Sequence, residues 1–140
     1  MTIKTILIID DDSSVRHVLM KFVELGNYKA YGAASALDGL RLFELRQPDL
    51  IISDLVMPDI DGYEFCKLIR QTSDVPIIMV TGYPQGRQAT GKERPGPDIV
   101  LAKPVTIDQL LSTVEELLRQ PRPHPHRRVE FIPQARLVGG

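Results

Sequence analysis

The sequence predicts an α/β fold: a doubly wound parallel sheet of five strands with helices on both faces. Three observations carry this. Five short apolar runs recur along the chain, "TILIID" (5–10), "YKAYGA" (28–33), "DLIISD" (49–54), "VPIIMVT" (75–81) and "DIVLA" (98–102). Three of them are nearly continuous in Ile, Leu and Val, which suits strands covered on both faces. Between them lie segments whose apolar residues return every three or four positions, and this alternation of strand and helix implies right-handed βαβ units.

The elements follow in order. The first strand ends in Asp10, Asp11 and Asp12, and a helix over 13–26 carries Val15, Val18, Leu19 and Phe22 at helical spacing. After the second strand, Ser35 and Asp38 form a capping-box signature for a helix over 35–46 with a Leu37, Leu40 and Phe43 stripe. Asp61 and Glu64 repeat the signature ahead of Phe65, Leu68 and Ile69, predicting a third helix over 61–71. The connection 82–97, "GYPQGRQATGKERPGP", holds four Gly and three Pro. Since Pro costs ~3 and Gly ~1 kcal/mol inside a helix, the fourth helix is expected to be short or irregular, a turn or two over 86–93 in a mobile loop. Thr106 and Gln109 then open a last helix over 106–120, with Leu110, Leu111, Val114, Leu117 and Leu118 on its stripe. Residues 121–140, with Pro121, Pro123 and Pro125 alternating, read as an extended Pro/Arg-rich tail or linker rather than a second domain.

At 140 residues the chain is expected to form one domain with a single core. Its net charge of −1 argues against whole-chain attraction to nucleic acid or an anionic membrane. The charge is uneven: the tail carries Arg122, Arg127, Arg128 and Arg136 against Glu130. Those arginines lack aromatic interleaving or a helical face, so direct nucleic-acid binding is not expected. A lone Cys66 excludes an internal disulfide and fits a reducing compartment. The N-terminus "MTIKTILIID" lacks the apolar region and cleavage site of a signal peptide, and no apolar run reaches ~18 residues. The expectation is a cytoplasmic domain with no membrane partner.

In an open α/β sheet the functional crevice lies at the carboxyl ends of the strands. Those ends hold Asp10, Asp11 and Asp12, Asp54, Thr81 and, just beyond the fifth strand, Lys103. Neighbouring carboxylates ~4 Å apart repel by about 1 kcal/mol even in bulk water. A metal ion, a basic side chain or simple exposure can offset that. Carboxylate oxygens prefer hard cations such as Mg²⁺, which could also hold a phosphoryl group. Lys103 would supply a point charge for its oxygens, Thr81 a hydrogen bond, and a carboxylate can itself be the nucleophile that forms an acyl phosphate.

The strings "LIIDDDSSVR", "PDLIISDLVMPDIDGYEF", "IIMVTGY" and "VLAKPVT", in this order and at four strand ends, resemble the receiver domain of two-component response regulators over residues 4–120. The resemblance implies a flavodoxin-like sheet of strand order 2-1-3-4-5 and a receiver domain at 1–120. It makes Asp54 the phosphoacceptor, with Asp11 binding Mg²⁺ directly, Asp10 helping, often through water, and the backbone carbonyl of Val56 completing the protein ligands. Thr81 would be the switch hydroxyl and Lys103 the phosphate-pairing lysine. Met57, Pro58 and Gly62 match the loop after the acceptor, and Lys103–Pro104 is the expected cis peptide, an X–Pro bond being the inexpensive place for one. The implied partners are a sensor histidine kinase or histidine phosphotransfer protein upstream and an unidentified protein downstream. The chain would assist its own phosphorylation and dephosphorylation without being an enzyme with a separate catalytic output. One departure stands out: where many receivers carry Tyr or Phe three residues before the lysine, this chain has Val100, which excludes an aromatic-rotamer switch there, although Tyr83 could take some part in the loop. The family's usual output and dimerisation face includes the fourth helix, weak here, so homodimer formation and output are open.

Two other readings compete. In a haloacid-dehalogenase-like phosphotransferase, Asp10 would be the nucleophile, Asp12 the acid–base and Ser14 the third motif residue. The chain lacks that family's acidic pair after the lysine and its cap insertion, and the Asp54 string would go unexplained. A flavodoxin-like carrier needs a Gly/Ser/Thr-rich phosphate loop after the first strand, where three aspartates would repel a phosphate. Asp12 itself is expected to face solvent at the start of the first helix, where a negative charge suits the dipole. His17 on that helix is not expected to be a phosphotransfer histidine, nor His124 and His126 a metal site. Cys66 is expected to be a small core residue.

Overall fold

A computed structural model describes residues 2–82 and 96–121. In chain order the elements are β1 (Thr5–Ile9), α1 (Ser13–Leu25), β2 (Lys29–Ala33), α2 (Ala36–Arg46), β3 (Leu50–Asp54), α3 (Gly62–Arg70), β4 (Ile77–Thr81), β5 (Ile99–Ala102) and α4 (Ile107–Arg119). All strand pairs are parallel and the sheet order is β2-β1-β3-β4-β5, as expected. The expected short helix over 86–93 and most of the tail lie outside the described residues.

Because side chains alternate across a strand, each central strand feeds both layers. Ile6 and Ile8 of β1, Leu50 and Ile52 of β3, and Ile78 and Val80 of β4 pack with Leu19 and Val23 of α1 and Leu110, Val114 and Leu117 of α4. Their neighbours Leu7, Ile9, Ile51, Ile77 and Met79 point to the other face, against Phe43 of α2 and Phe65, Cys66 and Ile69 of α3. The helices therefore pair as α1 with α4 and α2 with α3 on opposite faces. No helix among the described residues is long and apolar enough to cross a membrane.

Each helix starts at a side-chain cap that satisfies an orphan backbone donor. Asp12 accepts from the N–H groups of Ser14 and Val15, Ser35 from Asp38, Asp61 from Glu64 and Thr106 from Gln109. The buried faces differ from the expected stripes at Val18, Leu37 and Leu68, which are 49%, 55% and 38% exposed. Close approach decides this for α2, which buries Ala36, Gly39 and Phe43 instead. A Cβ on Gly39 would stand 2.5 Å from the Ile9 side chain, so the smallest residues face the sheet there. In α3 the same turn of the helix brings Cys66 inward, fully buried as expected.

Candidate functional site

The parallel arrangement brings the carboxyl ends of β1, β3, β4 and β5 to one edge. Asp10, one residue past β1, is almost fully buried, and Asp54, the last residue of β3, is 8% exposed. Asp11 is exposed beside them. One carboxylate oxygen from each of Asp10, Asp11 and Asp54 lies within 4.8 Å of the others. Lys103, just after β5, reaches over this group: its Nζ is 3.2 Å from Asp10 Oδ2 and 3.4 Å from Asp54 Oδ2. Of the three ways to offset the repulsion, the basic side chain is thus realised directly, and the three carboxylate oxygens are grouped closely enough to be ligands of one metal ion.

Backbone contacts hold these groups in place. Asp54 Oδ1 accepts the Leu55 N–H at 2.8 Å, leaving Oδ2 toward Lys103. Asp10 Oδ1 accepts the Asp12 N–H at 3.0 Å, and Arg16 of α1 donates to the Asp10 carbonyl at 2.7 Å. The Lys103 N–H bonds the Thr81 carbonyl at 2.8 Å, tying the lysine's backbone to the end of β4. Thr81 is buried, one residue past Val80, which pairs with Asp54. The Lys103–Pro104 peptide is cis. Val56 lies in the exposed part of the loop after β3, and Val100, partly buried, packs toward the α2–α3 layer.

The electrostatics follow from burial and company. Burial raises the Asp54 pKa above the ordinary carboxylate range, and Asp10 adds to this while Lys103 opposes it. For Lys103, burial works against the charge, but Asp54 and Asp10 outweigh it and hold the ammonium above the usual lysine range. The donor set is hard oxygen only, with few protein ligands. That fits Mg²⁺, which keeps several waters and binds through one or two carboxylates.

Asp12 stands apart. Its carboxylate is spent capping α1, and the oxygen cluster is formed by Asp10, Asp11 and Asp54. The phosphotransferase reading, which needs Asp12 in the chemistry, is therefore not favoured. His17 is exposed on α1. Two contributors went unread in the sequence: Arg16, which clamps the Asp10 carbonyl, and Asp59, whose carboxylate caps α2. A cation six residues after Asp10, where the first helix turns back over the strand end, was the available sign of the first. Nothing local marks the second.

A doubly wound sheet of this order, with clustered carboxylates and one lysine at its carboxyl edge, defines a CheY-like receiver class. The model of the response regulator receiver domain matches residues 6–115, and the chain belongs to that family. It is 36% identical over 118 residues to the probable transcriptional regulator ycf27 of Cyanophora paradoxa, covering 84% of this chain and 49% of that protein. It is 34% identical over 133 residues to the DNA-binding dual master transcriptional regulator RpaA of a Synechocystis strain, covering 93% and 52%. The chain thus spans about half the length of the curated relatives it matches. Among solved structures, a putative response regulator from Chloroflexus aurantiacus superposes with a TM-score of 0.77 at 32% identity, covering 85% of this chain and 100% of that one. The chemotaxis response regulator CheY4 of Vibrio cholerae gives 0.75 at 30% identity, covering 83% and 99%.

Proposed function

We propose that this chain is the phosphoacceptor module of a two-component phosphorelay, with residues 1–120 as the receiver and 121–140 as a tail or linker. The observation that carries it is the placement of Lys103 Nζ over both Asp10 and Asp54 at the mouth of the acidic cluster. Asp54 attacks the phosphorus of a phosphohistidine on a sensor kinase or phosphotransfer protein. An O–P bond forms to the carboxylate as the P–N bond breaks, and the electron pair leaves with the imidazole. The buried carboxylate is a competent nucleophile because Lys103 holds a positive charge beside it, which opposes its protonation. Lys103 then pairs with the phosphoryl oxygens, and the Thr81 hydroxyl donates to one of them. Mg²⁺, bound by Asp10, Asp11, Asp54 and the Val56 carbonyl, would supply the second positive charge that neutralises carboxylates and phosphoryl oxygens together. The chain is no enzyme with its own output: the acyl phosphate changes its affinity for a protein partner or a second copy in the cytoplasm. Direct nucleic-acid contact is not part of this reading, although RpaA is described as DNA-binding.

Acetyl phosphate with Mg²⁺ is expected to add one phosphoryl group to the full chain, mapped to the peptide containing Asp54 and absent in Asp54→Asn. An unlabelled wild type, beside a receiver labelled in parallel, would overturn the proposal.

A further inference from the structure

The loop between β3 and α3 is pinned at two points. At its start, the Leu55 carbonyl accepts the Gly62 N–H at 2.7 Å, while the Leu55 N–H holds Asp54. Toward its far end, Asp59 reaches out of the loop and caps α2. Asp59 Oδ1 accepts the Ala36 N–H at 3.2 Å, and Oδ2 the Leu37 N–H at 2.8 Å. These are the first two N–H groups of α2, and its own cap, Ser35, takes a different one, that of Asp38. The Asp59 carboxylate is held below the usual range by the Leu37 N–H, against partial desolvation, with help from the N–H groups of Ala36, Ile60 and Asp59 itself. Between the two pins lie Val56, Met57 and Pro58, and Met57 is anchored in the α2–α3 core. A loop fixed on both sides, with its middle residue buried, has little freedom left at Val56.

We infer that Asp59 is a positioning residue: by gripping the N-terminus of α2 it holds the loop so that the Val56 carbonyl joins Asp10, Asp11 and Asp54 as a ligand for a divalent cation. The inference rests on the function proposed above and adds a residue from outside the acidic cluster to it. The carboxylate is bound to the α2 backbone and is not one of the three that form the oxygen cluster, so its loss should act on metal affinity and leave the chemistry of Asp54 intact.

The test compares the full-length wild type with Asp59→Ala and Asp59→Asn. The labelling rate with acetyl phosphate is followed against Mg²⁺ concentration, and Mg²⁺ binding is measured separately by calorimetry. Outer-shell partners of metal ligands typically govern 10- to 100-fold in affinity, so Asp59→Ala should raise both the half-saturating Mg²⁺ and the Kd about 10-fold. Its labelling rate at saturating Mg²⁺ should stay near wild type. Asp59→Asn loses the same charge but keeps one side-chain acceptor, and should show a smaller rise. An unmoved Mg²⁺ dependence would overturn the inference, as would equal rises in the two variants, which would reduce Asp59 to a distant charge. A fall in the plateau rate alone would do the same. If the wild type takes no phosphoryl group at all, the parent proposal fails, while the calorimetric Kd still decides the role of Asp59. Circular dichroism establishes that each variant is folded, and Asp59→Asn carries the comparison should Asp59→Ala unfold.

Discussion

At the scale of single residues, the site is a compromise between opposing charges. Asp54 is buried next to Asp10, and Lys103 relieves only part of the cost, so the carboxyl pKa remains above its ordinary value. A raised folded pKa means that the folded state binds the proton more tightly than the unfolded chain. Stability contributed by Asp54 is therefore full below the ordinary carboxylate range and declines as pH rises through the raised folded value. Asp54→Asn removes that ionisation. At neutral pH, without Mg²⁺, it should raise the urea midpoint by about 1 kcal/mol of stability, the usual size of a stabilising change at a functional site. The difference from wild type should shrink in acid. A lower midpoint for Asp54→Asn at neutral pH would show that the Lys103 pair is worth more than the burial costs.

At the scale of elements, one glycine sets how closely α3 approaches the acceptor strand. A Cβ on Gly62 would stand 2.6 Å from the Asp54 carbonyl oxygen, 2.7 Å from Met79 Sδ and 3.0 Å from Leu55 Cα. Two of these three are backbone atoms that cannot rotate away. Gly62→Ala is expected to cost about 1–3 kcal/mol, the range for overpacking a tight core, and to slow Asp54 labelling by displacing the strand end. Denaturant unfolding and mass spectrometry read the two effects, and a variant as stable and as readily labelled as wild type would refute the argument. The helix starts were legible in the sequence because caps are local: Ser35, Asp61 and Thr106 each stand three residues from the N–H they satisfy. The buried faces were less so. Leu37 and Gly39 compete for the inward position within one turn, and the shape of the opposing sheet chooses between them.

Across the whole molecule, the end of α3 is fastened to the starts of β4 and β5. Arg70 and Asp98, 7% and 8% exposed at their side chains, pair at 2.9 Å. Arg70 also donates to the carbonyls of Gly96, Ser73 and Val75, and Asp98 accepts the Ile77 N–H at 2.8 Å. Arg70→Ala takes the ion partner from the buried Asp98 and a donor from three carbonyls, so it should destabilise by about 3–5 kcal/mol in urea unfolding. A loss below about 1 kcal/mol would place the pair with surface salt bridges, which contribute little. The sequence by itself determined the strand and helix periods, the caps, and which residues end each strand, because these depend on neighbours within a few positions. With the parallel arrangement implied by alternation, that was enough to place Asp10, Asp54, Thr81 and Lys103 on one edge. Only the tertiary structure decided which oxygen faces which. The Lys103–Asp10 contact spans 93 residues, the Asp59 cap on Leu37 spans 22 and the Arg70–Asp98 pair spans 28. No local pattern encodes them, since each forms only after the sheet and both helical layers have fixed the distance between chain segments.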